Sequence, residues 1–263
     1  MTREIKVTVD QIPCQVLISD EYKVLLEAKA AGRAFIAVEQ EGGPGVSGAP
    51  YVVWGWDNVS GELAELVARR HLGLPWIIGR GERLIVRELT AKDRDGIFQG
   101  EKLNREEEMF SSEEGIRAYI KNQYPLWEFG IWALVRREDG KLAGLGGVTA
   151  PRLPLEFEAD LEAYRSRVKQ SAPEWDVLEL GYRIFAPYRK QGLGKEACGI
   201  ILSYCKEVLR CRVCALIQEK NQASRRLAES LGMEPLCIRN TLGFRETGNG
   251  SPERLLLYGE SRL

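Results

Sequence analysis

The chain has 263 residues, 44% hydrophobic and 29% charged, an ordinary globular balance that gives no reason for a disordered class and leaves room for two domains. Its 37 basic and 38 acidic residues leave a formal net charge of −1, which argues against nucleic-acid binding by overall charge. No apolar run approaches the roughly 20 residues of a membrane-spanning helix, and the opening MTREIK lacks a signal-peptide core, so a cytoplasmic protein without membrane or nucleic-acid partners is expected.

Residues 1–80 read as a small α/β unit. Lys6 to Val9 alternates like a strand, and Ser19-Asp20-Glu21 reads as the capped, charged start of a helix with Val24, Leu25, Ala28 and Ala31 as its apolar stripe and Gly32 as its stop. Ala34 to Val38 suits a short buried strand, residues 41–50 a Gly/Pro loop, and Tyr51 to Trp56 another strand. Ser60 opens a second helix with Leu63, Leu66 and Val67 on one face and Gly73 after it; Leu74-Pro75-Trp76 then reads as a linker.

Residues 81–263 read as a second domain. Arg83 to Leu89 is a strand, Thr90 caps a helix beginning at Ala91, and Ser111-Ser112-Glu113-Glu114 announces another with Ile116, Tyr119 and Ile120 on its apolar side. Ile131 to Val135 and Lys141 to Val148 form a hairpin about Glu138-Asp139-Gly140. Residues 150–175 hold three prolines, a helical run near 159–168 and the acids Glu156, Glu158, Asp160, Glu162 and Glu174. This stretch reads either as a lid or acceptor-recognition insert or as a solvated surface helix.

The most informative stretch runs from Val177 to Met233. A strand to Phe185 leads into the turn Arg189-Lys190-Gln191-Gly192-Leu193-Gly194, and a long helix follows with Leu193, Ala197, Ile200, Ile201, Tyr204, Cys205 and Val208 on one face. A strand over 212–218 and a helix over 221–231 come next. Glycines at a strand-to-helix turn let the backbone approach a ligand closely, the first helical amides have no partner inside the helix, and Arg189, Lys190 and Lys195 add charge. Such a turn suits a diphosphate. Leu236 to Arg239 and Arg254 to Tyr258 supply the last strands, with a turn over 248–252.

Six cysteines include Cys211-x-x-Cys214, but the one histidine, His71, is far away in sequence and no second ligand pair accompanies them. No metal is expected, and the cysteines read as buried reduced thiols of a reducing compartment.

The stretch resembles the acetyl-CoA-binding core of the GNAT N-acetyltransferases, whose turn Arg/Gln-x-x-Gly-x-Gly/Ala is matched by Arg189, Gly192 and Gly194. It is similar more narrowly to the branch with the Rim-type ribosomal-protein acetyltransferases, through Gly181-Tyr182, Gly192 to Ala197, Asn221-x-x-Ser224 and Leu231-Gly232-Met233. The resemblance spans roughly residues 82–263 and implies a mixed, mostly antiparallel sheet flanked by helices, the GNAT form of an α/β (α+β) fold. It implies acetyl-CoA as co-substrate, held by Tyr182, Ile184, Arg189, Lys190, Gln191, Gly192, Leu193, Gly194, Lys195, Asn221 and Ser224. The helices after Thr90 would form one wall of the acceptor site.

The implied reaction moves acetyl to a primary amine of a small molecule, peptide or protein N-terminus. An amine attacks only when neutral, so a base is needed; Glu179, on the strand beside the thioester, is the candidate, with Gly181 on the same face and Tyr182 on the other. The Ile184 N–H would bind the thioester oxygen. Many members of the family carry a tyrosine acid where this chain has Ala228, and Ser224 or Asn221 would meet the sulfur instead. A CoA-binding sensor or assembly module without turnover is the alternative, and a homodimer is among the expected assemblies. Residues 27–38, an alanine-rich helix, glycine and apolar strand, resemble part of a haloacid-dehalogenase-type fold. The Asp-x-Asp of that family is absent, with only Asp10 near its place, so residues 1–80 are expected to be a structural or dimerising module without phosphatase activity.

Overall fold

The computed structural model describes residues 1–41, 48–97, 108–242 and 252–261. It divides into two compact units, Met1–Trp76 and Ile77–Leu263.

In the first unit, strands β1 (Thr2–Val9), β2 (Ile12–Ser19), β3 (Ala34–Glu39) and β4 (Val52–Trp54) form one sheet in that order, with helices α1 (Tyr22–Ala30) and α2 (Gly61–His71). The β1/β2 pair is antiparallel and the other two pairs are parallel. Alternation along β2 and β3 sorts the core. Leu17, Phe35 and Ala37 pack with Leu25 and Ala28 of α1, while Val16, Ile18, Ile36 and Val38 pack with Val67 and Ala68 of α2. Both faces are covered, which is why β3 reads as a continuous apolar run.

Two local readings need correction. Sequence reasoning passed over β2, because the hairpin turn before it carries no Gly or Asn: Asp10 and Gln11 both adopt positive φ, 48° and 69°. Asp10 is held there by Arg69 of α2 at 3.2 and 3.3 Å. At the start of α1 the N-cap is Glu21, whose side chain makes no capping bond; Asp20 instead binds the terminal amine, and Trp56 Nε1 donates to it at 3.2 Å. Ser60 caps α2 as expected, accepting from Leu63 N at 3.0 Å.

The second unit is built on an eight-stranded sheet, ordered β11-β12-β10-β9-β8-β7-β6-β5. Its elements in chain order are β5 (Ile77–Arg80), β6 (Leu84–Arg87), α3 (Arg94–Ile97), α4 (Glu113–Trp127), β7 (Ile131–Arg136) and β8 (Leu142–Thr149). There follow α5 (Glu158–Ser171), β9 (Asp176–Ile184), α6 (Leu193–Glu207), β10 (Cys211–Gln218), α7 (Gln222–Ser230), β11 (Met233–Leu242) and β12 (Pro252–Glu260). Every neighbouring pair is antiparallel except β9/β10, whose parallel pairing requires the α6 crossover. Strand β5, which the linker reading missed, pairs with β6 at the sheet edge. The turn expected at 248–252 lies, apart from Pro252, outside the described residues.

Helix α6 buries Leu193, Ala197, Ile201 and Cys205 as its spacing predicts. Val208 does not join them: the helix stops at Glu207, and Val208 is its C-cap, 54% exposed. On the opposite face of the sheet Leu161, Tyr164 and Val168 of α5, with its N-cap Phe157, are buried against Val177, Cys214, Leu255 and Leu257. The Tyr164 hydroxyl donates to Val213 O at 3.2 Å and accepts from Glu260 N at 2.9 Å, tying α5 to two strands. Of its acids, Glu156, Glu158, Glu162 and Glu174 are exposed, while Asp160 pairs with Arg239 at 2.7 Å. The insert is therefore a packed layer whose acidic side faces water.

Candidate active site

The site arises where β9 and β10 stop pairing. Their ladder runs from Asp176/Cys211 to Glu179/Cys214 and ends there. Beyond it, β9 continues against β8 as far as Ile184 and β10 continues against β12 as far as Gln218, so the two strands part. The wedge between them is a cavity of about 290 Å³, bounded by Glu179 to Arg183, Ala215 to Gln218 and the first turns of α7, with Phe110 and Ile131 on one side.

Main-chain direction in the wedge follows from the ladder. Phe185 N donates to Ala143 O at 2.9 Å, so in the antiparallel alternation the pairs Gly144/Ile184 and Gly146/Tyr182 face each other without exchanging hydrogen bonds. The N–H and C=O of Tyr182 and Ile184 point away from β8, to the side that β10 has left. The Ile184 carbonyl confirms the direction, accepting from Arg189 Nε at 2.9 Å.

The glycine turn closes the wide end. Gly192 is the N-cap of α6 with φ 78°, a left-handed backbone that side chains resist, and Lys190 before it has φ 59°. A Cβ on Gly194 would lie 3.2 Å from both Leu227 Cδ1 and Tyr182 Cε2, so this glycine lets α6 sit against the wedge wall. Arg189, Lys190, Gln191, Gly192 and Lys195 are exposed along the turn, whereas the Leu193 side chain is buried and leaves only its backbone to meet a ligand. Gln191 Nε2 donates to Pro187 O at 3.1 Å.

Arg83, which sequence reasoning did not assign to the site, braces this turn. Its Nη1 donates to Gln191 O at 2.6 Å and its Nε to Glu196 Oε2 at 2.8 Å, and Glu196 Oε1 accepts from Arg83 N and Leu84 N at 2.7 and 3.0 Å. Burial pushes the Glu196 carboxyl up, but these main-chain donors and the guanidinium outweigh it and hold it below the usual range. The partners are over a hundred residues apart, a pairing no local pattern announces.

Glu179 sits at the apex of the wedge, 4% exposed, opposite Thr149 on β8 and Cys214 on β10. Its Oε2 accepts from Arg152 N at 3.2 Å. The Cys214 thiol is pushed up by burial and then by the charge of Glu179. A Cβ on Gly181, two residues along the same face, would meet nothing within 4 Å, so the floor beside Glu179 is open. On the other face the Tyr182 hydroxyl shares a hydrogen bond with Ser224 Oγ at 3.2 Å. Burial raises the Tyr182 phenol above its usual value, partly offset by that bond, so it stays protonated at neutral pH. Asn221 caps α7, accepting from Ser224 N at 3.1 Å. Ala228, 3% exposed, faces the same wedge and offers no proton. Gln218, also missed in the sequence, lines the wall with its amide donating to Glu253 at 3.3 and 3.4 Å.

All six cysteines are free, five of them buried, and no group of three or more metal-ligating side chains occurs among the described residues. No helix among those residues is long and apolar enough to cross a membrane.

The fold has counterparts. The family model for the acetyltransferase (GNAT) domain matches residues 83–234. Among solved structures, the ribosomal-protein-S5-alanine acetyltransferase from Vibrio fischeri superposes with a TM-score of 0.51 at 15% identity, covering 69% of this chain and 94% of that one. RimL, a ribosomal L7/L12 alpha-N-protein acetyltransferase, gives 0.51 at 13% identity over 71% and 94%. A GNAT-family acetyltransferase from Bacillus anthracis gives 0.47 at 16% identity over 68% and 95%. At such identities the likeness shows the fold alone. The haloacid-dehalogenase resemblance of the N-terminal part finds no support in these comparisons, and Asp10 is committed to Arg69 at a hairpin tip. With the family model covering more than half of its length and the parted strands and glycine turn inside that span, the chain belongs to the GNAT acetyltransferase family.

Proposed function

We propose that the second unit transfers an acetyl group from acetyl-CoA to a primary amine by direct attack. The observation that carries this reading is the parting of β9 and β10 after Glu179, with the N–H groups of Tyr182 and Ile184 aimed into the gap and the glycine turn at its mouth. A pantetheine arm lying in the gap finds strand-like donors and acceptors along β9. A diphosphate at the turn meets the main-chain N–H groups from Gln191 to Lys195, with Arg189, Lys190 and Lys195 around it. Asn221 and Ser224 stand on the opposite wall. The Ile184 N–H supports the oxyanion that develops on the thioester carbonyl.

Glu179 takes the proton from the attacking amine; the C–N bond forms, the C–S bond breaks, and the sulfur leaves as thiolate. A thiol has a pKa near 8.5, so its protonation asks little, and the hydrogen-bonded Ser224–Tyr182 pair supplies the proton. A lysine-type amine, with pKa about 10.4, needs the base more than an α-amine near 7.7–8.0. The buried free thiols suit a reducing cytoplasm.

The test is thiol release from acetyl-CoA with a panel of small amines, amino acids and peptides bearing free N-termini. Release with at least one class supports the reading. A second reading, a CoA-binding sensor without turnover, is favoured by Ala228 at the place of the family's tyrosine acid. It predicts CoA binding with no thiol release on any amine.

A further inference from the structure

We infer that the segment from Ala150 to Pro154, which leads into the α5 insert, is a positioning strap for Glu179, and that the main-chain N–H of Arg152 holds the carboxylate in its ionised, proton-accepting form. The inference rests on the reading of Glu179 as the base, and it assigns a role to one main-chain donor at that residue.

The strap is stiff and anchored at both ends. Pro151 and Pro154 fix their own φ angles and restrict Ala150 and Leu153 to extended backbone. On one side the strap leaves β8 at Thr149, the register partner of Glu179 itself. On the other, Leu153 packs against the core cluster that includes Phe157, Leu161 and Tyr164, and the Tyr164 hydroxyl bonds main-chain groups of both β10 and β12. A donor carried on such a segment does not wander. The Arg152 N–H lies 3.2 Å from Glu179 Oε2, while the Arg152 side chain is exposed, so the backbone is the working part.

A fixed donor bears directly on the chemistry. Glu179 is 4% exposed, and burial alone favours a neutral carboxylic acid, which accepts no proton from an ammonium. A hydrogen bond from a fixed N–H favours the anion and counters that effect. Among the described residues, titratable or charged groups toward this face include the Cys214 thiol on β10, Arg165 on α5 and Arg183 farther along β9. Phe110 and Ile131 on the facing wall are uncharged.

Two measurements on the full chain decide the matter. The first is amide hydrogen exchange. Glu179→Ala removes the acceptor, and the Arg152 amide is expected to exchange at least tenfold faster than in the unaltered protein. An unchanged rate overturns the strap contact, whether or not the protein turns out to be an enzyme. The second is the pH dependence of kcat/KM. Arg152→Pro deletes the donor and raises the folded pKa of Glu179, so the acidic limb is expected to move up by about one pH unit, with the alkaline plateau unchanged. Arg152→Ala keeps the N–H and leaves the limb in place. A limb that moves equally in both variants, or in neither, overturns the positioning role. If Arg152→Pro does not fold, Pro151→Gly with Pro154→Gly serves instead: the loosened strap is expected to shift the limb in the same direction, and an unmoved limb counts against the inference.

Discussion

The diphosphate assignment makes a prediction in which strain and ligand binding separate. Gly192 has φ 78° and Gly232, just after α7, has φ 81°. Alanine at either position is forced into the left-handed region, at a cost of roughly 1–2 kcal/mol. For a domain of this size that corresponds to a fall in Tm of about 2–8 °C. The two sites differ in surroundings. A Cβ at Gly232 meets nothing within 4 Å, whereas one at Gly192 lies 3.3 Å from Arg83 Nη2, on the turn that Arg83 braces through Gln191 O. Both alanine variants should therefore lose similar stability, and only Gly192→Ala should lose CoA affinity, by about tenfold if one main-chain donor is displaced. Gly192→Glu adds an anion where the diphosphate is proposed to sit and should remove measurable binding. Scanning calorimetry gives the first quantity and titration calorimetry with CoA the second. A folded Gly192→Glu protein that binds CoA as tightly as the original would refute the assignment, and so would equal loss of affinity in Gly232→Ala.

Other outcomes follow from the same geometry. Glu179→Gln should lower the acylation rate and erase the acidic limb of the pH–rate profile: the base works above its pKa and fails as pH falls through it, so a surviving limb would point to another group. Ser224→Ala and Tyr182→Phe each break the 3.2 Å bond between them; a double-mutant cycle on kcat should show strongly non-additive losses, and additive losses would count against a shared proton path. Tyr164→Phe leaves Val213 O and Glu260 N without their buried partner and should cost about 1–3 kcal/mol by denaturant titration. Gln11→Gly relieves a left-handed residue in the β1/β2 turn and should raise the stability of the first unit by about 0.5–1 kcal/mol, with no effect on catalysis.

The parts of the fold that were legible in the sequence are those governed by neighbours along the chain. The apolar period of α6, the Ser60 and Ser112 caps and the Asp139-Gly140 hairpin each depend on a few consecutive residues. What escaped depends on distant partners. Strand β2 follows a turn that two non-glycine residues can hold because Arg69, nearly sixty residues on, binds Asp10. Strand β5 exists because β6 pairs with it. Val208 continues the helical period but falls after the last turn, where the chain changes direction at Arg210 with φ 49°. The candidate site divides the same way. Its glycines, Asn221 and Ser224 are punctuation that a sequence displays, while Arg83, Arg152 and Gln218 enter through tertiary contacts.

The acidic insert shows how much composition leaves open about role. Its charged residues suggested either a lid or acceptor-recognition insert or a solvated surface helix; most of the acids do face water, yet charge describes only the outward side of an amphipathic element. The inward side, Phe157, Leu161, Tyr164 and Val168, covers the face of β9, β10 and β12 that the wedge leaves intact below Glu179. A sheet in which β9 and β10 part has lost ladder hydrogen bonds beside Glu179, where the proposed chemistry asks for rigidity. Packing a third layer against the paired segment, with the Tyr164 hydroxyl tied to β10 and β12, compensates on the closed side and leaves the open side for ligand. The same layer brings Arg152 to Glu179. On the proposed reading, then, the insert is coupled to the site through the backbone that introduces it, and its acids do not have to touch substrate for its removal to reduce the rate.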